Sequence, residues 1–394
     1  MKIPKLRFKE FSGEWEEKRL GDIGLFFSGG TPKSDNKKYY GGDIPFIKSG
    51  EISKEKTEQF LTKLGLENSS AKMIKKGDLL FALYGATSGE CAISKIEGAI
   101  NQAILVIRSE ENNEFLLNSF KYYKKQIINK FLQGGQGNLS AELIKMLNFK
   151  FPSLEEQEKI SNFLSSVDKK IVITEEKLNL FKEYKKGVMQ KIFTQKLRFK
   201  DSNGNNYPDW ELVTTKDISK ITMGFTPSTK DDSMWNGKYK WLSIADLKEN
   251  GKYICKTSKT ITDKGIKNKK ILKKGTLIMS FKLTLGRLGI ISEEMFTNEA
   301  ICHFNWINKD LINTEYIYYY LSNTDISNFG KQAVKGITLN SESLNSIEIY
   351  LPCLEEQEKI ANFLSSIDNK IENLSNELEN LKDFKKGLLQ KMFV

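Results

Sequence analysis

Residues able to carry out catalysis are scarce in this chain of 394 residues. His303 is the one histidine, and it lies in an apolar stretch between Cys302 and Phe304. That setting predicts a strand, in which a histidine is more often structural than a general base. The sequence contains neither the G-x-x-x-x-G-K-[ST] loop of ATP-binding proteins nor the Asn-Pro-Pro or Asp-Pro-Pro run of amino-methyltransferases. We therefore expect no catalytic site in this chain.

Two short motifs resemble pieces of active sites but lack the required context. Pro208-Asp209 with Asp246-Leu247-Lys248 resembles the PD…(D/E)xK pattern of nucleases. The gap between the two parts is long, and the other half of the chain has no equivalent. The glycines of Phe26-Phe27-Ser28-Gly29-Gly30 resemble a nucleotide loop but lack the strand–GxG–helix order. We interpret both as chance matches.

The cysteines and the charge limit the class of protein. Cys91, Cys255, Cys302 and Cys353 are scattered, with no CxxC pair, which argues against a zinc site and against a disulfide scaffold. We see no signal peptide and no apolar run long enough to span a bilayer, so we expect a cytoplasmic protein. The net charge of +11 fits a polyanionic partner, although charge alone is a weak indicator.

The chain contains an internal duplication. Residues 154–168 read LEEQEKISNFLSSVD and residues 354–368 read LEEQEKIANFLSSID, with thirteen of fifteen positions identical. Weaker matches continue upstream at offsets that drift between 191 and 198, including Trp15 with Trp210 and Asn101 with Asn298. Between about 20 and 150, however, most residue identity is lost. Each copy therefore consists of a diverged segment, here called the body, and a nearly identical segment, here called the arm.

The arms are predicted to be long helices that form a coiled coil. Apolar residues recur at alternating spacings of four and three, the heptad pattern of a helix that packs against another helix. Because each arm leads away from its own body, we expect the two arms to pair antiparallel. Ser153 and Glu156 are predicted to form a capping box at the first arm. The predicted seam consists of Ile160, Leu164, Val167, Ile171, Leu178 and Phe181 in the first arm, with a polar Thr174, and Ile360, Leu364, Ile367, Ile371, Leu374, Leu378 and Leu381 in the second; it continues with Tyr184, Val188 and Ile192 in the first arm and with Phe384 and Leu388 in the second.

The bodies are predicted to be α+β. In the first body, short apolar or alternating segments at 79–85, 91–96 and 103–108 predict strands, and 113–133 has a helical period. The second body repeats this order with strands at 276–281, 287–292 and 301–306 and a helix near 314–322. Glycine clusters between these segments mark loops. The predicted domains are 1–150 and 198–350 for the bodies, and 151–197 and 351–394 for the helical arms.

The whole chain resembles the DNA-specificity subunit of type I restriction–modification enzymes. The resemblance rests on Pro4-Lys5-Leu6-Arg7-Phe8, Gly13-Glu14-Trp15, Leu20-Gly21-Asp22, Gly29-Gly30-Thr31-Pro32, Gly77-Asp78-Leu79-Leu80 and the Pro-x-Leu-Glu-Glu-Gln-Glu-Lys-Ile openings at 152 and 352. It implies two target recognition domains separated by two conserved helices that pair as an antiparallel coiled coil, with pseudo-twofold symmetry.

The resemblance also implies a function in DNA restriction, DNA methylation and phage defence. Such a subunit is not an enzyme. It binds a bipartite asymmetric site in double-stranded DNA, and it assembles with two methyltransferase (modification) subunits and with ATP-dependent restriction subunits. S-adenosylmethionine, ATP and Mg²⁺ belong to those partners, so no cofactor is expected in this chain.

Each body is expected to read a few base pairs in the major groove from its loops, with Lys and Arg side chains holding phosphates. The length of the arms would set the distance between the half-sites. The predicted DNA-contacting residues lie in or beside the loops aligned by the repeat: Lys33, Lys48, Tyr84, Thr87, Ser88 and Gln136 in the first body, and Lys230, Ser243, Lys282, Thr284, Arg287 and Lys335 in the second.

Three other classes of protein remain as alternatives. An enzyme fused to recognition domains would need a metal or cofactor motif, which we do not find. A structural coiled-coil scaffold would not explain two large bodies with glycine loops. An orphan subunit that binds DNA without its partners is compatible with the sequence, and a pull-down of methyltransferase subunits distinguishes it.

Overall fold

The protein is represented by a computed structural model that describes residues 3–131, 138–266, 268–282, 284–333 and 336–394, with no side-chain detail for Lys248 or residues 331–338. Its internal contacts divide the chain into two units. Unit 1 comprises Met1–Glu176 and Asn376–Val394, and unit 2 comprises Lys177–Ser375. Each unit therefore contains one body, the first part of the arm that follows it and the last part of the other arm.

The body of unit 1 is built from short strands and three helices, as its alternation of apolar and turn residues predicts. The strands are β1 (Glu16–Arg19), β2 (Gly24–Ser28), β3 (Tyr40–Ile47), β4 (Phe60–Leu61), β5 (Lys72–Ile74), β6 (Leu79–Ala82), β7 (Cys91–Ile93), β8 (Gly98–Ile100), β9 (Ile104–Ser109) and β10 (Asn148–Phe151). The helices are α1 (Lys63–Glu67), α2 (Asn113–Phe131), α3 (Ala141–Lys145) and the arm helix α4 (Leu154–Phe193).

Three sheets form this body. One is an antiparallel sheet in the order β2-β9-β6-β7, and a second has the order β4-β3-β8-β5. A two-stranded sheet, β1-β10, lies next to the start of the arm in sequence. The β6 and β9 strands are buried through most of their length, which explains their nearly continuous apolar sequence. The core beneath α2 is aromatic, and the ring of Phe393 from the second arm lies 6.2 Å from Trp15 and 5.3 Å from Phe115.

Unit 2 repeats this plan with small changes. Its strands are β11 (Glu211–Thr214), β12 (Ser219–Met223), β13 (Trp235–Leu242), β14 (Tyr253–Ile254), β15 (Lys259–Ile261), β16 (Leu277–Ser280), β17 (Leu288–Ile291), β18 (Phe296–Thr297), β19 (Ile301–Trp306), β20 (Lys331–Ala333), β21 (Gly336–Thr338) and β22 (Glu348–Leu351). Its helices are α5 (Thr215–Ile218), α6 (Ile244–Glu249), α7 (Asp263–Ile266), α8 (Thr314–Asn323), α9 (Ser341–Asn345) and the arm helix α10 (Leu354–Met392).

The sheets of unit 2 correspond to those of unit 1. The largest has the order β12-β19-β16-β17-β14, a second has the order β15-β13-β18, and β11 pairs with β22. In addition, β20 and β21 form an antiparallel pair. The strands and helices predicted in both bodies are confirmed, with ends that differ by a few residues. The α+β class and the internal repeat are thus confirmed.

The arm helices pair antiparallel in both units. In unit 1, a carboxylate oxygen of Asp168 on α4 accepts a 2.6 Å hydrogen bond from Lys385 on α10. In unit 2, the equivalent lysine lies on α4 and the equivalent aspartate on α10. There, Lys185 forms a 2.5 Å ion pair with Asp368. Contacts between early residues of one helix and late residues of the other require antiparallel helices, so the predicted direction is confirmed.

Most residues of the predicted seam are shielded from solvent. Its members are buried or half-buried, with Leu164, Ile360 and Leu364 fully buried. Tyr184 and Phe384 are instead 52% and 53% exposed, so their assignment to the seam was wrong. The alternation of four and three leads from 181 to 185 and from 381 to 385, and the two seam positions are therefore occupied by the ion-paired lysines.

The repeated LEEQEK block joins each arm to its own body. Glu156 accepts hydrogen bonds of 2.8 and 2.7 Å from Arg7, and Glu356 accepts 3.2 and 2.8 Å bonds from Arg198. Ser153 Oγ accepts a 3.4 Å bond from the Glu156 amide, as predicted for a helix cap. The carboxylate that was predicted to complete the capping box is engaged by Arg7.

The glutamine of the same block, Gln157 or Gln357, is buried in each unit. Gln157 accepts a 3.1 Å bond from the Asn112 amide at the start of α2, and its amide group donates to Pro152 O at 3.0 Å. Gln357 accepts a 2.8 Å bond from the Asn313 amide at the start of α8 and donates to Pro352 O at 2.8 Å. The junction of arm and body therefore explains why this glutamine is identical in the two copies.

Among the described residues, no helix combines the length and the apolar composition needed to cross a bilayer.

Candidate nucleic-acid interface

Three loops of unit 1 converge on one polar surface. The hydroxyl of Thr31 donates a 2.7 Å hydrogen bond to the side-chain oxygen of Gln102. Gln102 also bonds the Tyr84 hydroxyl, which offsets part of the rise in Tyr84 pKa that burial causes. The loop after β2, the loop after β6 and the loop after β8 are thereby tied together.

A hollow of about 510 Å³ opens beside these loops. Its walls carry two lysines, an asparagine, a glutamine and hydroxyl groups, the side chains that contact phosphates and base edges. The residues are Thr31, Ser34, Lys37, Tyr40, Phe46, Lys48, Gln59 and Asn101. Of the predicted contacts, Lys48 lines the hollow directly, and Lys33 is the exposed neighbour of Ser34.

A buried carboxylate fixes the position of Lys48. Glu51 Oε2 accepts 3.1 and 2.9 Å hydrogen bonds from the Lys48 amide and the Thr57 hydroxyl, and Oε1 accepts a 3.1 Å bond from the Glu58 amide. Burial alone raises the pKa of Glu51, but these hydrogen bonds outweigh it and hold the pKa below its ordinary value. Glu51 therefore joins both ends of the segment 48–58 as a carboxylate.

Unit 2 has the same device at the corresponding positions. Asp246 Oδ2 accepts 2.8 and 2.7 Å bonds from the amide and hydroxyl of Ser243, and Oδ1 accepts a 3.0 Å bond from the Ser258 amide. Burial raises the pKa of Asp246, but the hydrogen bonds lower it below its ordinary value overall. Ser243 is thus the N-cap of α6, and its hydroxyl is already hydrogen-bonded within the chain.

The predicted contacts in the turn after β16 lie together. The Ser280 amide donates to the Arg287 carbonyl at 2.8 Å, and the Gly286 amide donates to the Ser280 carbonyl at 2.9 Å. This compact turn brings Lys282, Thr284 and Arg287 to one place in unit 2. The Thr284 hydroxyl oxygen is buried and has no hydrogen-bond partner in the described part of the chain.

The corresponding turn of unit 1 contains three predicted contacts. Tyr84 and Thr87 are half-buried, and Ser88 donates its hydroxyl to the Leu83 carbonyl at 3.0 Å. Ser88 thus shapes the turn, as Ser280 does in unit 2. In unit 2, Lys230 is exposed on the loop that follows Thr226.

DNA contact by the twelve proposed residues therefore remains a prediction, and the structure places these residues in different surroundings. Gln136 and Lys335 lie outside the described residues. The sequence reasoning passed over Thr31, Lys37, Gln59 and Gln102, which the structure brings together with Lys48. One signal was available, since Thr31 and Asn101 both match in the repeat; their counterparts Thr226 and Asn298 form a 3.0 Å hydrogen bond.

His303, Cys91 and Cys302 are largely shielded from solvent. Burial lowers the pKa of His303 to about 4, and its two ring nitrogens lie 3.2 Å from the Thr222 hydroxyl and 2.6 Å from the Thr297 hydroxyl. Burial raises the pKa of the Cys91 and Cys302 thiols to about 12. Within the described ranges, no group of three or more His, Cys, Asp or Glu side chains is arranged to hold a metal ion.

Comparison with known proteins agrees with this arrangement. The profile of the type I restriction modification DNA specificity domain matches residues 12–183 and again residues 207–383, well over half of the chain. The type I restriction enzyme MjaVIII specificity subunit of Methanocaldococcus jannaschii is 25% identical, with 97% of this chain and 94% of that protein aligned. The putative MjaX specificity subunit of the same organism is 28% identical over 98% of this chain and 94% of that protein.

The fold is shared with a solved structure. The S subunit of the type I restriction–modification system from M. genitalium superposes with a TM-score of 0.64 at 15% identity, covering 100% of this chain and 99% of that one. The two domain matches, the full-length relatives and the shared fold lead to one conclusion. The chain belongs to the family of type I restriction–modification specificity subunits, non-catalytic proteins that recognise DNA sequence and assemble with the other subunits of the enzyme.

Proposed function

We propose that this subunit recognises a bipartite asymmetric DNA site and holds two methyltransferase subunits, to which ATP-dependent endonuclease subunits are added. Each body reads one half of the site. The partners bind S-adenosylmethionine, ATP and Mg²⁺ and carry out the chemistry. The proposed domains are those expected from the sequence, with bodies at 1–150 and 198–350 and helical arms at 151–197 and 351–394.

The proposal that the two half-sites differ in sequence is supported by a difference in side chains at equivalent backbone positions of the two bodies. Lys48 and Ser243 occupy the same place next to a buried carboxylate, yet unit 1 presents a cation there and unit 2 a hydroxyl group that is already bound to Asp246. Donors and acceptors of different types distinguish different base pairs in the major groove. Equivalent loops with unequal side chains therefore favour an asymmetric site over a palindrome.

One observation carries the proposal of two equivalent partners. Exposed arm residues that make no core contact are nevertheless identical between the copies, and the antiparallel pairing gives each unit one full set. Unit 1 carries Glu158, Asn162 and Ser166 with Lys382, Lys386 and Gln390, and unit 2 carries Glu358, Asn362 and Ser366 with Lys182, Lys186 and Gln190. Two copies of one partner explain why both sets are retained.

An exposed aromatic side chain accompanies each set, Phe384 in unit 1 and Tyr184 in unit 2. Exposed aromatic rings next to polar residues are typical anchors of protein interfaces.

One turn further along each helix lies a glycine, Gly187 or Gly387, where an added Cβ would meet no neighbouring atom within 4 Å. A helix-interior glycine lowers helix stability by about 1 kcal/mol relative to alanine. Its presence in both copies supports a close approach by a partner.

The test is co-expression with a methyltransferase subunit of the same type I system, followed by native mass spectrometry and methylome sequencing. We expect one chain with two methyltransferases and methyl-adenine at a single split motif. A complex with one methyltransferase would contradict the paired surface. No complex and no methylation, with DNA binding by the isolated chain, would identify an orphan DNA-binding protein instead.

A sharper version uses Tyr184→Ala, Phe384→Ala and the double variant. Loss of an interface anchor weakens binding by about 2 kcal/mol or more, roughly 30-fold. Each single variant is expected to yield complexes with one methyltransferase, and the double variant none. Exposed Val172→Ala is the control, because Val172 is replaced by Glu372 in the second copy. Full assembly of the double variant would overturn the assignment of these rings.

A further inference from the structure

A pair of facing apolar side chains in unit 1 has become a polar pair in unit 2. Phe27 on β2 is the register partner of Val106 on β9. At the corresponding place, Thr222 on β12 is the register partner of His303 on β19. Thr222 follows Phe27 by 195 positions and His303 follows Val106 by 197 positions, the offsets of the repeat. The backbone of the strand pair is therefore retained, and only the side chains differ.

The neighbouring strand pair shows the same replacement. Ile47 on β3 is the partner of Ile100 on β8, and Leu242 on β13 is the partner of Thr297 on β18. Ile100 belongs to an apolar core cluster in unit 1. Thr297 instead lies 2.6 Å from a ring nitrogen of His303. Unit 2 has thus gained a polar patch, Thr222–His303–Thr297, where unit 1 has an apolar core.

This patch forms the floor of a hollow of about 740 Å³ in unit 2. The floor is polar and neutral, because burial of His303 favours its uncharged form at neutral pH. The rim is strongly basic, and no carboxylate is found among the described residues that line the hollow. Its lysines are Lys220, Lys269, Lys270, Lys273, Lys274 and Lys309.

Most of this charge is uncompensated. Lys273 has an ion pair with Glu294 at 2.5 Å, and Lys269 lies over the ring of Phe225. In the part of the chain that the structure describes, the other four rim lysines have no ion-pair partner. Like charges around one opening repel each other, and an anion placed between them relieves that repulsion.

We infer that this hollow binds phosphate esters, and that its ligand is the phosphodiester backbone of the DNA strand at the second half-site. This inference rests on the proposed DNA binding by the body of unit 2. Lysine ammonium groups bind phosphates as point charges, and hydroxyl groups such as that of Thr222 donate hydrogen bonds to phosphate oxygens. At the corresponding place unit 1 carries the apolar side chains Phe27, Val106 and Ile100, so we expect the two bodies to hold the DNA backbone in different ways.

The repeat provides a matched pair of variants for the test. Lys270 and Lys274 correspond to Lys72 and Lys76 of unit 1 at an offset of 198. All four side chains are exposed or lie on the rim. We would compare Lys270→Gln/Lys274→Gln with Lys72→Gln/Lys76→Gln, which remove the same charge from the same segment with and without the polar patch Thr222–His303–Thr297.

The measurement is the affinity of the full chain for a short DNA duplex as a function of salt concentration. Each phosphate contact contributes about 0.9 to the slope of log K against log salt. Lys270→Gln/Lys274→Gln is expected to reduce that slope by about 1.8, and Lys72→Gln/Lys76→Gln to leave it closer to the wild-type value. An equal effect of the two double variants on the slope would overturn the DNA backbone as the ligand of this hollow.

Thr222→Phe provides a second, charge-neutral variant. It introduces the side chain that unit 1 carries at this position into an exposed place, so the fold should be retained, as near-ultraviolet circular dichroism would check. Filling the hollow is expected to lower the salt slope as the lysine variant does. A well-folded Thr222→Phe chain with an unchanged slope would contradict binding of the DNA backbone in the hollow.

ATP without DNA separates the two sources of phosphate. If the salt slopes are unchanged but ATP raises the melting temperature of the wild type and not of Lys270→Gln/Lys274→Gln, the phosphate-ester site stands and its ligand is a free nucleotide. If neither DNA nor ATP distinguishes the variant, the inference is wrong. A wild-type chain and complex that bind no DNA would overturn the proposed function itself, whichever result ATP gives.

Discussion

The indole nitrogen of Trp210 donates a 2.9 Å hydrogen bond to the buried carboxylate of Glu356. The equivalent indole nitrogen in unit 1, that of Trp15, is buried and has no hydrogen-bond partner in the described part of the chain. Both carboxylates of the repeated block are nevertheless bound by an arginine, Arg7 or Arg198. The two arm–body junctions therefore share an ion pair and differ by one hydrogen bond.

This difference predicts unequal effects of one substitution. Trp210→Phe removes a hydrogen bond to a charged group, which contributes about 1.5–3 kcal/mol, in addition to lost packing. Trp15→Phe removes packing contacts and an indole N–H that makes no hydrogen bond in the described part of the chain. We expect Trp210→Phe to lower the free energy of unfolding more, as measured by urea denaturation of the full chain. Equal losses would contradict the predicted role of the Trp210 bond.

A second prediction concerns pH and the loop held by Asp246. Because the folded-state pKa of Asp246 is lowered, its stabilising effect is complete above the ordinary value near 3.8. The effect is lost as the pH falls through the lower folded-state pKa. Asp246→Asn is expected to destabilise the chain by about 1.5–3 kcal/mol at neutral pH and to have little effect at the acidic end.

The matched control for this carboxylate is Asp310→Asn, which changes an exposed aspartate of the same unit. Thermal unfolding followed between neutral and acidic pH checks both variants. A difference between wild type and Asp246→Asn that grows as the pH falls would have the wrong sign.

The helix-interior glycines give a third prediction. Gly187→Ala and Gly387→Ala should each stabilise the chain by about 1 kcal/mol, because the added methyl group meets open space and alanine favours the helix. For units of this size, that corresponds to a rise of about 2–4 °C in the melting temperature. The same variants should bind fewer methyltransferase subunits. Increased stability together with full assembly would show that the glycines do not contact a partner.

Exchange of bodies gives the fourth prediction. Replacing residues 198–350 by the corresponding body of another specificity subunit should change one half of the methylated motif and leave the other half unchanged. The reason is that the contacts predicted for each body come from its own loops. Methylome sequencing of the host reports both halves at once. A motif altered in both halves would contradict independent reading.

The arms were the part most predictable from sequence, since a heptad pattern encodes both the helix and its buried face. The one error there came from following residue type instead of position. The spacing leads from Phe181 to Lys185, but the apolar Tyr184 was chosen. A charged residue in a seam is acceptable when it has a partner on the facing helix, as Lys185 has in Asp368. Pairing across two sequence-distant helices cannot be read from one helix alone.

The candidate DNA-binding surface was less predictable. Lys48 was proposed as a contact because it lies in a predicted loop. The shape of that loop depends on Glu51, Thr57 and Glu58, and no local sequence pattern shows that these groups meet. The hollow of unit 2 depends on strand register, which placed Thr222 opposite His303. Residue propensities predict individual strands but not which strands pair. The pairing determines which side chains line the hollow.

The make-up of unit 1 has a consequence for synthesis of the protein. The ring of Phe393 packs against Trp15 and Phe115, and Lys385 reaches Asp168 across 217 residues of sequence. On the ribosome, the first body therefore emerges long before the helix segment that closes its core, and the whole second body is translated in between. Until then its apolar seam is open to solvent. The last segment of the chain therefore completes the core of the first unit only at the end of translation.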